Sequence, residues 1–382
     1  MEHMGRYRVV WNMTRRLIPG WTKRRLNYTA VPCEVEGPVL VLANHNTDLD
    51  PFLLGLSFPQ YLSFVASEHL FRLGLGGKLL VFLFNPIARL KGTSGGNTVL
   101  TMLRRLRQGC SVALFPEGNR SFLGRTGEIA PATGKLAKKC GVPVVTYRLE
   151  GGYFTSPRWA GMHLRRGKMT GRPVHTYTPE ELSQMSVEEV TEAIRRDLFV
   201  DAYAEQRKDP VAYEGKNLAV GLETLLYRCP SCGRLGTLQS VGNTLSCPCG
   251  FSARFNAFGF FEGDAPFDNL CQWDEAQTRA VLEQLPTDGS PVFSDSQMEL
   301  KEILPRHKTK LLGRGDMTLY CDRLEVCGLS FLLEDITGFS IIGAQRVSFS
   351  AMGRSFEITS KQLRCTRKYM TMIEKLRLSG QE

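Results

Sequence analysis

Short runs of apolar residues recur along the first two hundred positions, each closing on a polar or glycine-rich turn. The runs at 39–43 (VLVLA), 62–66, 87–90, 111–115 and 142–149 are continuous rather than alternating, which predicts strands buried on both faces. Between them, residues 97–108 place Val99, Leu100, Leu103 and Leu106 on one helical stripe, with Arg104, Arg105 and Arg107 largely off it. Buried strands separated by helices predict an α/β sheet covered on both sides, with functional groups where strands end.

Further along, residues 179–206 read as a charge-rich helical segment, with Ser186 ahead of Glu188, Glu189 and Glu192 marking a helix start. Residues 207–224 read as a linker. Turn-rich residues 227–262 carry two cysteine pairs, and 273–285 are helical by pattern. Alternating runs at 317–320, 323–326, 330–333 and 346–349 predict a small antiparallel sheet closed by a helix near 367–378. The implied organisation is a basic amphipathic segment (1–25), an α/β domain (26–210), a cysteine module (225–262) and a helix plus small β-rich domain (263–382). Neither an internal repeat nor a low-complexity tract is visible.

Length and composition fit this division. A chain of 382 residues, 42% hydrophobic and 23% charged, has material for two or three globular domains. Its net charge of +10 is uneven: residues 1–220 hold 30 of the 48 Lys and Arg but 19 of the 38 Asp and Glu. Arg6, Arg8, Arg15, Arg16, Lys23, Arg24 and Arg25 lie among Tyr7, Val9, Val10, Trp11, Met13, Leu17, Ile18 and Trp21. That mixture suits an anionic membrane surface, bases meeting lipid phosphates while apolar groups enter the headgroup boundary; the plainer alternative is a basic tail that is solvated or packed on the domain. Charges interrupt the N-terminal apolar groups before a signal-peptide core forms. The longest uncharged stretch, 51–67, is shorter than a bilayer span and reads as buried helix and loop. Eleven cysteines, four of them in metal-ligand spacing, argue against a secreted disulfide framework. The expectation is a cytoplasmic protein, peripheral or monotopic on the cytoplasmic face of a membrane.

Two polar motifs follow two buried strands. Residues 44–50 (NHNTDLD) follow the run at 39–43 and put His45 five positions before Asp50; residues 115–121 (FPEGNRS) follow the run at 111–115. The first could be no more than a capping cluster, with Asp48 or Asp50 capping a helix that has Pro51 in its first turn. Together, in order and about 70 residues apart, the motifs resemble the first and third signature blocks of the glycerolipid (1-acylglycerol-3-phosphate, or lysophosphatidic acid type) acyltransferase family. Residues 85–91 (NPIARLK) resemble the second block, departing from it at Asn85 and Lys91, and residues 142–145 (VPVV) the fourth, an apolar strand. Asn119 replaces the family's more frequent Thr. The resemblance covers roughly residues 25–210.

It implies that His45 is the general base for a substrate hydroxyl, with Asp50 holding the other ring nitrogen and stabilising the imidazolium. Arg120, with Lys91 or Arg89, would bind an acceptor phosphate. Glu117 would hold an acceptor hydroxyl or fix Arg120, and Gly118 would permit close approach or a positive φ. Direct transfer needs no enzyme nucleophile, so Cys33, Cys110 and Cys140 read as buried thiols. The donor would be acyl-CoA or an acyl carrier protein, and the acceptor a lysophospholipid-like molecule.

Cys229, Cys232, Cys247 and Cys249 form a second signal. Fourteen residues separate the pairs, close to zinc-ribbon spacing, although the second pair is C-x-C where a ribbon has C-x-x-C. A structural zinc is the expectation; a redox dithiol or a degenerate ribbon without metal are the alternatives. The C-terminal pattern resembles a pleckstrin-homology-like fold, with no motif that fixes a ligand. The fold class expected is thus an α/β acyltransferase sheet, a zinc-ribbon-like module and a small antiparallel β domain. Acylation of another membrane alcohol or amine, and a non-catalytic adaptor carrying an acyltransferase-like domain, are the other functional readings. Nucleic acid is not the expected partner, since the cysteine-bearing half is nearly neutral.

Overall fold

The computed structural model describes residues 4–72, 74–89, 95–161, 163–305, 308–343, 346–362 and 364–379. These fall into two compact units, one built from residues up to Gly215 without Trp159–Gly161, the other from Trp159–Gly161 and Lys216 onward.

The first unit is organised on a seven-stranded sheet. Its strands are β1 (Tyr28–Ala30), β2 (Leu40–Ala43), β3 (Leu62–Ser67), β4 (Ile87–Arg89), β5 (Ser111–Leu114), β6 (Val144–Glu150) and β7 (Met169–Tyr177), in the order β1-β7-β6-β2-β5-β3-β4. Strands β6, β2, β5, β3 and β4 are parallel; β7 pairs antiparallel with β6, and β1 runs with β7. The continuous apolar runs are explained by what covers them. In β2, Leu40 and Leu42 face one core while Val41 and Ala43 face the other.

Helices α1 (Met4–Leu26) and α2 (Asp50–Gly55) cover one face through Tyr7, Trp11, Leu26, Leu53 and Leu54. On the other lie α4 (Gly96–Arg107), α5 (Pro131–Lys139), α7 (Pro179–Gln184) and α8 (Val187–Leu198); α3 (Gly74–Phe84) precedes α4, and the short α6 (Gly152–Thr155) lies between α5 and α7 in the chain. The helical stripe expected on α4 packs on the core through Val99, Leu103 and Leu106, joined by Met102, whereas Leu100 is 61% exposed. The segment 179–206 is likewise divided, into α7, α8 and α9 (Ala202–Lys208). Each start has its own cap: capping boxes at Thr178/Glu181 and Ser186/Glu189, and the Asp201 carboxylate on Tyr203 N and Ala204 N.

In α1, Trp11 stands edge-on to Tyr61 at 5.8 Å, and a Cβ at Gly55 would come within 2.4 Å of its ring. The N-terminal segment is therefore packed helix rather than solvated tail. Its other side leaves Val9, Met13 and Leu17 more than half exposed, as are Leu75, Leu79 and Phe82 on α3. The two helices meet where Arg6 lies over the Phe82 ring at 4.3 Å. No helix among the described residues is long and apolar enough to cross a membrane.

The second unit begins with β8 (Gln239–Val241), β9 (Thr244–Ser246), β10 (Ser252–Phe255) and β11 (Phe261–Gly263), an antiparallel sheet followed by α10 (Leu270–Leu282). Then come β12 (Phe293–Leu304), β13 (Lys308–Leu319), β14 (Arg323–Val326), β15 (Leu329–Leu332), β16 (Thr337–Ile342), β17 (Arg346–Ala351) and β18 (Arg354–Ser360), and α11 (Arg367–Ser379). The seven strands form one antiparallel sheet, ordered β15-β14-β13-β12-β18-β17-β16. Met298, Leu300, Met317, Phe331, Phe349 and Phe356 fill its core with Tyr369 of α11. Asp295 ties that helix down, accepting from Tyr369 Oη at 2.8 Å and pairing with Lys368 at 2.8 Å and Arg364 at 2.9 Å.

Candidate active site

His45 emerges just beyond the carboxyl end of β2. The strand end is fixed by Asn44, whose side chain donates to Leu149 O at 2.8 Å and accepts from Leu149 N at 2.7 Å, on neighbouring β6. The loop then folds around one carboxylate. Asp50 is fully buried; its Oδ2 accepts from Asn46 N at 2.6 Å and Thr47 N at 2.9 Å and lies 2.9 Å from His45 Nδ1, while Oδ1 accepts from Thr47 Oγ1 at 2.6 Å. Neither Asp48 nor Asp50 caps the following helix: the N-cap is Leu49, without a side-chain hydrogen bond. The imidazole stacks on Phe115 with ring centroids 4.4 Å apart and is 21% exposed. Nδ1 is engaged with the carboxylate, and Nε2 is the ring nitrogen outside that contact.

The second motif follows β5, the parallel neighbour of β2 with Leu42 opposite Leu114. Glu117 accepts from His45 N at 2.7 Å through Oε1 and from Gly127 N at 2.6 Å through Oε2. Burial pushes its carboxyl up to about 8, the two backbone N–H donors pull it back down, and the charge of Asp50 adds to the rise. Ser121 N donates to His45 O at 2.8 Å. Gly118 takes a φ of +69°, and a Cβ there would lie 3.6 Å from Nη1 of Arg89, the last residue of β4. Arg89 is half-buried, which lowers its pKa through desolvation, and it has no ion-pair partner among the described residues.

Arg120, expected on an acceptor phosphate, is 9% exposed and spends its donors on the protein. Nε donates to Asn46 O at 2.9 Å, Nη2 to Ser156 O at 2.6 Å, and Nη1 pairs with Asp48 Oδ2 at 2.7 Å. Asp48 is 83% exposed, so this pair faces solvent on one side. Lys91 lies outside the described residues. The structure thus gathers His45, Asp50, Glu117, Gly118, Arg120 and Arg89 at the carboxyl ends of adjacent parallel strands. Thr47, Phe115, Gly127 and Ser156 were not singled out by the sequence reading. Phe115 and Thr47 were at least inside the quoted motifs, whereas Gly127 and Ser156 enter through the tertiary fold alone.

The four cysteines of the second unit also converge. Their sulfurs all lie within 4.8 Å of one another, with Cys229 to Cys249 at 3.7 Å and Cys232 to Cys247 at 3.8 Å. A disulfide would hold sulfurs about 2.05 Å apart. Four thiolates each about 2.3 Å from a central zinc lie about 3.8 Å apart, so the spacing suits tetrahedral coordination. Both pairs sit in tight turns with matching backbone bonds: Gly233 N to Cys229 O and Gly250 N to Cys247 O, each 3.0 Å. Gly233 and Gly250 have φ of +72° and +99°, which supply the reversal. The C-x-C pair therefore reaches the same point as the C-x-x-C pair by turning rather than by extending.

A mostly parallel sheet thus presents a His–Asp pair at its strand ends, and the stretch that carries it resembles known proteins. Residues 24–150 match the family model described as Acyltransferase. The chain is 31% identical over 115 residues to "1-acyl-sn-glycerol-3-phosphate acyltransferase BAT2, chloroplastic" of Brassica napus, covering 30% of this chain and 33% of that protein. It is 34% identical over 124 residues to "Probable 1-acyl-sn-glycerol-3-phosphate acyltransferase" of Mycoplasma genitalium, covering 30% of this chain and 44% of that one. The match thus spans less than half the length of either relative. Among solved structures, the 1-acyl-sn-glycerophosphate (LPA) acyltransferase PlsC of Thermotoga maritima is similar, with a TM-score of 0.42 and 21% identity over 53% of this chain and 80% of that chain.

Proposed function

We propose that the chain transfers an acyl group from a thioester donor, acyl-CoA or acyl carrier protein, to the hydroxyl of a lysophosphatidic acid-like glycerolipid at a membrane surface. One observation carries the reading: the partly exposed His45 imidazole bound through Nδ1 to a buried carboxylate, 2.9 Å away, at the strand ends of an acyltransferase domain. In this mechanism Nε2 takes the proton of the acceptor hydroxyl as its oxygen attacks the thioester carbonyl, and Asp50 stabilises the imidazolium. Collapse of the tetrahedral intermediate breaks the C–S bond, and the departing thiolate takes the proton from Nε2. Arg89, beside the Gly118 loop and without an ion-pair partner among the described residues, is the base best placed to receive the acceptor phosphate. Arg120 joins it only where the phosphate displaces Asp48.

Membrane attachment is supported by the exposed apolar side chains of α1 and α3, flanked by Arg6, Arg8 and Arg16. In the second unit, Cys229, Cys232, Cys247 and Cys249 hold one zinc with a structural role, because four thiolates leave no coordination position for water. Incubating purified protein with acyl-CoA or acyl carrier protein and a panel of lyso-acceptors, with products identified by mass, tests the activity. His45→Ala should reduce turnover about 100-fold or more while the protein stays folded. Arg89→Ala should weaken the phosphorylated acceptor far more than its dephosphorylated analogue. A folded His45→Ala protein with wild-type turnover rules the mechanism out.

A further inference from the structure

Both peptide groups flanking the His45 Cα are held from the loop that follows β5. The N–H donates to Glu117 Oε1 at 2.7 Å, and the C=O accepts from Ser121 N at 2.8 Å. The same loop is closed further on: Glu117 Oε2 accepts from Gly127 N at 2.6 Å, and Ser121 Oγ donates to Arg125 O at 2.7 Å while accepting from Gly124 N at 2.9 Å. Glu117 therefore bridges two backbone segments, one carrying the histidine and one 10 residues beyond the carboxylate itself. Its two oxygens each have a short N–H donor, and no hydrogen bond or ion pair joins it to the Arg120 guanidinium, which is engaged with Asn46, Asp48 and Ser156. The packing is close on the Gly127 side as well. A Cβ there would sit 3.2 Å from Oε2 and 3.6 Å from Cβ of Glu117, so the site takes glycine with little room to spare.

We infer that Glu117 is a positioning residue for His45: it bridges the His45 and Gly127 backbone N–H groups and so fixes where Nε2 points, and it does not hold the acceptor hydroxyl. This rests on the acyl-transfer reading of the site. The physical reason is that Asp50 orients the ring about its own axis through Nδ1, but the ring's placement relative to β5 depends on the main chain to which it is attached. A base displaced by about 1 Å can lose about 100-fold in rate without any change in substrate affinity. The side-chain amide of glutamine has one acceptor and one donor group, so in Glu117→Gln one of the two backbone N–H groups would face an NH2. Alanine removes both acceptors.

The test is steady-state kinetics on full-length wild type, Glu117→Gln, Glu117→Ala and Gly127→Ala, with acyl thioester and lyso-acceptor varied separately. Nitrogen NMR of the His45 ring in the same proteins is read alongside. The expected result is a fall in kcat of about 10- to 100-fold, with Gln milder than Ala, and an acceptor KM within about twofold of wild type. The Nδ1–H signature of the Asp50-bound tautomer should broaden or shift in Glu117→Gln. Gly127→Ala, which leaves the carboxylate in place, should follow the same kcat-only pattern. An acceptor KM raised about tenfold or more with kcat retained would assign Glu117 to the acceptor and overturn the inference, as would an unchanged imidazole spectrum in a slowed Glu117→Gln protein. If Glu117→Ala does not fold, Glu117→Gln and Gly127→Ala still decide the matter. Wild type that transfers no acyl group would instead defeat the underlying activity.

Discussion

Asp50 is one carboxylate with four donors or partners around it, from His45, Asn46 and Thr47, and all four come from the five residues before it. The histidine, the turn and the acid are thus one local unit, which is why the H-x-x-x-x-D spacing could be read from the chain. Glu117 is different: its partners lie 72 residues upstream and 10 downstream, and the sequence offered no signal for them. The internal partners of Arg120 were hidden for the same reason, since two of its acceptors are backbone carbonyls, which no side-chain pattern reveals. Glu117 also carries a pH prediction. Its carboxyl is raised from 4.5 to about 8, mainly by burial. Between those values the folded protein binds a proton that the unfolded chain lacks, so this group lowers stability as pH rises through the window, with a limiting slope of about 1.4 kcal/mol per pH unit. Asp50 contributes to the same shift, and His45 and Arg89 stand beside the loop. Urea midpoints measured from pH 5 to pH 8 should decline less steeply in Glu117→Gln than in wild type; parallel curves would mean that the carboxyl titrates normally.

At the level of elements, strands with continuous apolar runs were legible because both sheet faces are covered, and their ends fell within two residues of the sequence reading. Strands that break the pattern were not. In β12 the register shifts between Asp295 and Met298, where Gln297 adopts a φ of +60°, and the alternation that marks a strand is lost across that bulge. The α4 stripe held for Val99, Leu103 and Leu106, while Met102 rather than the exposed Leu100 completes it. Helices α1 and α3 supply the next prediction. Leu17 and Leu75 are 73% and 85% exposed, so Leu17→Asp/Leu75→Asp should change folding stability by only about 0.5 kcal/mol per site. Co-sedimentation with anionic vesicles should nonetheless fall several-fold, and the binding that remains should weaken as salt rises. Undiminished sedimentation would free this face of a lipid role. Deleting residues 1–25 would be a poor substitute, because it strips Tyr7 and Trp11 from the core.

Considered whole, the chain joins an α/β unit of recognisable chemistry to a second unit with its own core and its own candidate metal. That division makes the zinc assignment separable. Elemental analysis should find about one zinc per chain, absent from a Cys229→Ser/Cys232→Ser protein, and proteolysis of that variant should cut within the cysteine turns while leaving the first unit resistant. Metal-free protein whose second unit resists protease as well as wild type does would exclude a structural zinc. The packing of Trp11 has a temporal side. Its ring waits for Gly55, Tyr61 and Phe64, partners translated 44 to 53 residues later. At about 5–20 residues per second, synthesis leaves several seconds in which α1 has emerged from the ribosome without its core contacts. During that interval its tryptophans, methionines and leucines are open to any apolar surface nearby, so a bilayer beside the ribosome would compete with chaperones for the nascent helix before the sheet exists to claim it.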